Sequence, residues 1–152
     1  MTNDQKRALV LQWAESQLGV MEYPAGSNKV KYCEWMGHGP EPWCMDSVQW
    51  IFDRAGLPLQ CKTSSCTTLA NWAKAHGQWV TSGFKPGDII FMHWKQSTFV
   101  EHVGICKANQ GKYLETYEGN TSLANQTNGG AYMVRNRALG VVRGAYRPWY
   151  NV

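Results

Sequence analysis

The order in which hydrophobic periods occur constrains this sequence most: helical spacing fills the first half, and short apolar or alternating runs fill the second. Alternating strands and helices would build a parallel sheet with crossovers. Helices followed by strands predict an α+β domain in which N-terminal helices pack on a mostly antiparallel sheet. Ala8, Leu9, Val10, Trp13, Ala14 and Leu18 recur at helical spacing between Thr2-Asn3-Asp4 and Gly19. A short helix is expected over residues 29–36, capped by Ser27 or Asn28 and ended by Gly37 and Gly39. A third is expected from about Trp43 to Ala55, stopped by Gly56-Leu57-Pro58, and a fourth from Ser65 to His76. Strands are expected at 79–80, 89–92, 100–107, 112–117, 132–135 and 141–146, with Phe99 leading into the third.

With 152 residues and no internal repeat or linker, residues 1–152 read as a single domain. No apolar run is long enough for a membrane span, and no basic segment followed by an apolar one opens the chain, so neither membrane insertion nor an ordinary secretory signal is expected. The net charge of +4 is scattered, as Lys29/Lys31, Arg135/Arg137 and Arg143/Arg147 show, and forms no basic stripe of the kind nucleic-acid binding needs. Five cysteines, at positions 33, 44, 61, 66 and 106, are an odd number and leave at least one thiol free. Cys61 and Cys66 lack a second Cys or His pair at metal-ligand spacing, and no cofactor motif is present.

A thiol becomes a nucleophile where its thiolate is stabilised, and a helix's first turn does so through unsatisfied N–H groups and the positive end of the dipole. Cys44 has that placement, with Cys66, which also begins a helix, as its rival. Cys33 and Cys106 read as buried small hydrophobes. The nucleophile also needs a base. His38 lies in a Gly/Pro loop, His76 at a helix C-terminus and His93 after an apolar strand, so each has a structural explanation. His102 is the best base, because Gly104 on the same strand face leaves room for another group to approach.

A three-residue turn at Asn109-Gln110-Gly111 pairs Ala108 with Lys112 and places His102 directly opposite Glu118, with Asn120 facing Val100 on the same side. Cross-strand Cβ atoms about 5 Å apart would let the carboxylate orient the imidazole. A two-residue loop would instead set Tyr117 opposite His102. Cys106 is too far along the strand from His102, roughly 13 Å, to be its partner. Cys44, His102 and Glu118 are therefore the expected acyl-transfer group.

At this point the sequence resembles the CHAP domain, the cysteine- and histidine-dependent amidohydrolase/peptidase family with a papain-like fold. Glu41-Pro42-Trp43-Cys44 with Val48-Gln49-Trp50 resembles its nucleophile segment, and Lys85-Pro86-Gly87-Asp88-Ile89-Ile90-Phe91 its first core strand. Glu101-His102-Val103-Gly104-Ile105 and Tyr117-Glu118-Gly119-Asn120-Thr121 resemble its histidine and acid segments, so the likeness spans about residues 10 to 147. The resemblance implies hydrolysis of an amide bond of bacterial peptidoglycan, either N-acetylmuramoyl-L-alanine or a peptide bond, as in phage endolysins. It implies Cys44 as nucleophile, His102 as base, Glu118 as the group orienting it and Asn120 as a fourth polar member. For phage members it also implies cytoplasmic synthesis and release to the wall through a holin lesion; a monomer is expected.

Two departures qualify the likeness. Asp46 lies two positions after Cys44, where it opposes thiolate formation while favouring the helix dipole. Some staphylococcal-phage relatives hold calcium in an Asp-rich loop near the nucleophile; no such acidic cluster is present, and no metal is expected. The alternative from another class is a non-catalytic wall-binding module, for which the eight Trp residues speak. An NlpC-type papain-like fold is disfavoured by Glu118-Gly119-Asn120, and a toxin or immune effector using the same fold would differ only in setting.

Overall fold

The computed structural model describes residues 1–94, 100–122, 125, 127–148 and 150. Phe99, expected to lead into a strand, lies outside them. Four helices come first: α1 (Asn3–Glu15), α2 (Lys31–Met36), α3 (Cys44–Arg54) and α4 (Cys66–Ala75). Strands β1 (Trp79–Val80), β2 (Ile89–Met92), β3 (His102–Asn109), β4 (Tyr113–Thr121), β5 (Ala131–Ala138) and β6 (Val142–Tyr146) follow. They form one sheet in the order β1-β6-β2-β3-β4-β5, with every pairing antiparallel. The α+β plan expected from the sequence is the one observed.

Local chemistry sets the helix ends. Thr2 and Gln5 form a reciprocal capping box that starts α1. The helix stops at Glu15, so Leu18, expected on the inward stripe, is exposed. Neither Ser27 nor Asn28 caps α2, which starts at Lys31 after Val30 without a side-chain cap. Asn28 adopts a left-handed conformation and gives its N–H to Glu22 instead. Helix α3 begins at Cys44, and Ser65 caps α4 by accepting from the Thr68 N–H.

The main core lies between the helices and one sheet face, where Val48, Ile51 and Phe52 of α3 join the cluster containing Phe91, Val103, Ile105 and Tyr117. A smaller cluster of Phe84, Ile90, Met92, Cys106, Leu114 and Ala145 covers the other face. Asp88 ends the Lys85-Pro86-Gly87 turn fully buried, accepting from the Lys85 N–H at 2.8 Å and pairing with Arg7 at 3.1 Å and Arg147 at 2.8 Å. It thereby ties α1 and the chain beyond β6 to the start of β2. All five cysteines are free thiols. Among the described residues no helix is long and apolar enough to cross a membrane.

The β3–β4 register corrects the expected one. Ile105 pairs with Tyr117 and Cys106 with Thr116, and after a bulge Ala108 pairs with Glu115 and Asn109 with Leu114. Ala108 therefore does not face Lys112, and His102 does not stand directly opposite Glu118. The turn is shifted because the Asn109 side chain accepts the Gly111 N–H, and the Gln110 N–H closes onto the Tyr113 carbonyl. Gly111 takes the positive φ of 89° that this tight reversal needs.

Candidate active site

Cys44 is the first residue of α3, so its sulfur sits where the helix leaves N–H groups unpaired; it is 7% exposed. Cys66 opens α4 in the same way, and the two thiols stand close enough for each to bias the other's protonation. The neighbouring Cys66 holds the Cys44 thiol well below its ordinary range; burial opposes the shift and His102 reinforces it. Contact with Cys44, together with burial, drives the Cys66 thiol up. The rival is thus a neighbour whose proximity favours the Cys44 thiolate over its own.

His102 opens β3 with no exposed surface, and its Nε2 donates to Glu118 Oε1 at 2.8 Å. Nδ1 has no hydrogen-bond partner of good geometry, yet the ring stands close enough to Cys44 for each group to bias the other's protonation. Burial alone would lower the imidazole's pKa, but Cys44 and Glu118 together carry it up to about 9. The Glu118 carboxylate is fully buried, which disfavours ionisation, yet Arg137 and His102 hold it down at about 2. Arg137 forks onto it from β5, Nε to Oε2 at 2.7 Å and Nη2 to Oε1 at 2.5 Å, and the Thr116 hydroxyl donates to Oε2 at 2.5 Å. Trp94 closes this side, its ring 6.1 Å from the imidazole and 4.8 Å from the Arg137 guanidinium carbon.

Two glycines make the grouping sterically feasible. A Cβ on Gly104 would lie 2.7 Å from Glu118 Cγ and 2.8 Å from the Tyr117 carbonyl oxygen, so the room foreseen at this position is filled by Glu118 itself. A Cβ on Gly119 would lie 2.4 Å from Ser47 Oγ and 2.9 Å from the Trp43 ring. Gly119 is what allows the first turn of α3, and Cys44 with it, to close on β4.

Cys44, His102 and Glu118 are therefore brought together, although by a diagonal rather than a direct cross-strand contact between the last two. Asn120 is buried on the same strand, but its amide serves the following loop: Nδ2 donates to Asn128 at 3.0 Å and Oδ1 accepts from the Gly130 N–H at 3.1 Å. Its positive φ of 59° fits an Asn turning out of a strand. His76 stacks on Trp72, and His93 stands 3.8 Å from Glu101, both apart from this group. His38 is elsewhere too, beside Asp46 and Cys33. Arg137 and the Cys44–Cys66 contact were missed in the sequence. The available signal for the first was period two, which sets Thr116 and Glu118 of β4 on the same face as Arg135 and Arg137 of β5, although only Thr116 and Arg135 stand directly opposite.

A thiolate beside an imidazolium that a carboxylate orients is an arrangement suited to attack on a carbonyl carbon. Fold and grouping together define an α+β domain built around a helix-terminal cysteine and a strand-borne histidine. The chain belongs to the CHAP domain family, whose profile matches residues 34–120, more than half of its length. Among solved structures it is similar to the wild-type endolysin LysIME-EF1, with a TM-score of 0.62 and 15% identity over 100% of this chain and 67% of that one. It is also similar to Ly7917, with a TM-score of 0.53 and 17% identity over 93% of this chain and 62% of that one. A second Ly7917 structure, with the hydrolyzing product of MDP, matches at a TM-score of 0.51 and 16% identity over the same shares of the two chains. No curated protein sequence matches the chain significantly.

Proposed function

We propose that this domain hydrolyses an amide bond of bacterial peptidoglycan, at the muramoyl-L-alanine linkage or within the peptide, by cysteine nucleophilic catalysis. The observation that carries the proposal is the fully buried His102–Glu118 contact at 2.8 Å, set against a thiol at a helix N-terminus. Membership of the CHAP family and likeness to endolysin folds support the substrate class. The alternative of a wall-binding module loses its main support, since none of the seven described tryptophans is exposed.

In the proposed reaction the Cys44 thiolate adds to the amide carbonyl, and the oxyanion is met by the Cys44 N–H. The His102 imidazolium gives its proton to the departing nitrogen, the C–N bond breaks and a thioester remains. Neutral His102 then takes a proton from water, hydroxide adds to the thioester, and the acid product leaves as the Cys44 thiolate reforms. Glu118 orients the ring throughout, and Asn120 is the fourth polar member, fixing the chain beyond Glu118.

Sacculi of several wall chemotypes, incubated with the wild type and with Cys44→Ala, test this by mass spectrometry of released fragments. A new amine at L-alanine or inside the peptide, released by the wild type alone, is expected and names the bond. Equal release by the variant, or none from any wall, overturns the proposal.

A further inference from the structure

Outside the Cys44 grouping, the described residues bring one thiol, one imidazole and one carboxylate into mutual reach. Cys33 from α2, His38 from the loop after it and Asp46 from the first turn of α3 present ligand atoms that all lie within 4.8 Å of one another. We propose that Cys33, His38 and Asp46 form a binding site for a borderline divalent metal ion of the zinc type, which would pin the loop between α2 and α3. The proposal is independent of the hydrolase reading.

Three observations carry it. First, Asp46 has no exposed surface; its Oδ1 accepts from Ser64 at 2.5 Å, while its buried Oδ2 has no hydrogen bond of acceptable geometry. That oxygen instead stands 2.8 Å from His38 Nε2, as an ion pair. Second, His38 Nδ1 lies 2.6 Å from the Gly39 carbonyl, and an Nδ1–H donated there leaves the Nε2 lone pair facing the carboxylate. A lone pair against a carboxylate oxygen at that distance is repulsive unless a proton or a metal ion stands between them. A ring oriented by a backbone carbonyl through its other nitrogen is the usual second-shell support of a metal-bound histidine. Third, the Cys33 sulfur makes long contacts of 3.5 Å to the Glu41 carbonyl and 3.6 Å to that of Asn28, already interacts with Asp46, and lines a surface cleft with His38, Gly39 and Pro40 that gives an ion access.

The donor set selects the ion. One S, one N and one O donor with a fourth position open to water or to the Ser64 hydroxyl, 3.1 Å from His38 Nε2, match four-coordinate zinc or cobalt. Calcium, which needs six to eight oxygen ligands, does not fit. Metal–ligand bonds of about 2.0–2.3 Å set tetrahedral donors roughly 3.3–3.6 Å apart, so the His38–Asp46 contact opens slightly and the sulfur moves in. Binding releases to solvent the Cys33 thiol proton and any proton shared by His38 and Asp46.

The test is anaerobic titration of the full chain with Co2+, followed by absorption. Expected are one equivalent bound, tetrahedral d–d bands, a sulfur-to-cobalt charge-transfer band, and loss of all three on adding one equivalent of Zn2+. Cys33→Ala abolishes the charge-transfer band; half-exposed His38→Ala, which spares the core, weakens Co2+ binding by about tenfold or more. The Cys44→Ala/Cys66→Ala double variant keeps the full spectrum, which separates this site from the other thiol pair. Absence of a charge-transfer band in the wild type, its survival in Cys33→Ala, its loss in the double variant, or undiminished affinity in His38→Ala would each overturn the proposal.

Discussion

Gly104 of β3 and Glu118 of β4 share one volume: the space a Cβ would take on the glycine is filled by Cγ of the glutamate, 2.7 Å from where that Cβ would stand. Gly104→Ala therefore overpacks the site against both a side chain and the Tyr117 carbonyl. A loss of about 1–3 kcal/mol in unfolding free energy is expected, because the backbone oxygen cannot yield as a side chain can. Denaturant unfolding measures it, and turnover should fall further than the folded fraction.

Removing the fork of Arg137 strands a buried carboxylate. Arg137→Met should cost about 3–5 kcal/mol, the range for breaking a buried ion pair from one side. With the guanidinium gone, the Glu118 pKa rises from about 2 toward and beyond the ordinary carboxylate range. The acid limb of the activity profile should then move to higher pH. An unmoved limb would show that Arg137 only supports the fold.

Stability should depend on pH in opposite senses at the two ends. Glu118 titrates near 2 in the folded protein against an ordinary 4.5, so its contribution is complete above about 4.5 and is lost as pH falls through 2. His102 titrates near 9 against an ordinary 6.5, so its contribution is complete below about 6.5 and is lost as pH rises through 9. From these groups, chemical denaturation midpoints should form a plateau between roughly pH 4.5 and 6.5. Glu118→Gln should flatten the acid slope and His102→Gln the alkaline one.

Gly119→Ala should damage activity more than stability. Its Cβ, 2.4 Å from Ser47 Oγ, pushes the first turn of α3 from β4 and moves Cys44 relative to His102. A displacement near 1 Å costs on the order of 10²-fold in rate. Ser47→Gly in the same chain removes the obstructing side chain and should restore part of the loss; kinetics of the single and double variants decide this.

Much of this arrangement was legible in the sequence, and the misses have physical causes. Period-two alternation put His102 and Glu118 on one face, and a register error of two residues leaves faces unchanged. That is why the pair was found although its register was not. The turn was misplaced because Asn109 spends its side chain on Gly111, and the bulge between Cys106 and Ala108 has no marker in residue type. Pro42-Trp43 announced the start of α3, whereas Arg137 on Glu118 and His38 on Asp46 join elements that no local period connects. Asp88 was readable as part of the segment that resembles the family's first core strand, but its pairing with Arg7 and Arg147 depends on chain ends meeting in space.

Arg137 stands on β5, the edge of the sheet. The start of that strand is covered, since Tyr132 exchanges backbone hydrogen bonds with Gly19 and Val20. The remainder, through Arg137, pairs only with β4 among the described residues. Edge segments open at lower free energy than the whole domain unfolds. Each such opening lifts the guanidinium away from Glu118 and leaves the carboxylate and imidazole misaligned while the helices and central strands persist. On warming, the protein should consequently become heat-inactivated before it melts, and its working temperature is set by the fraying of one strand rather than by the strength of its core.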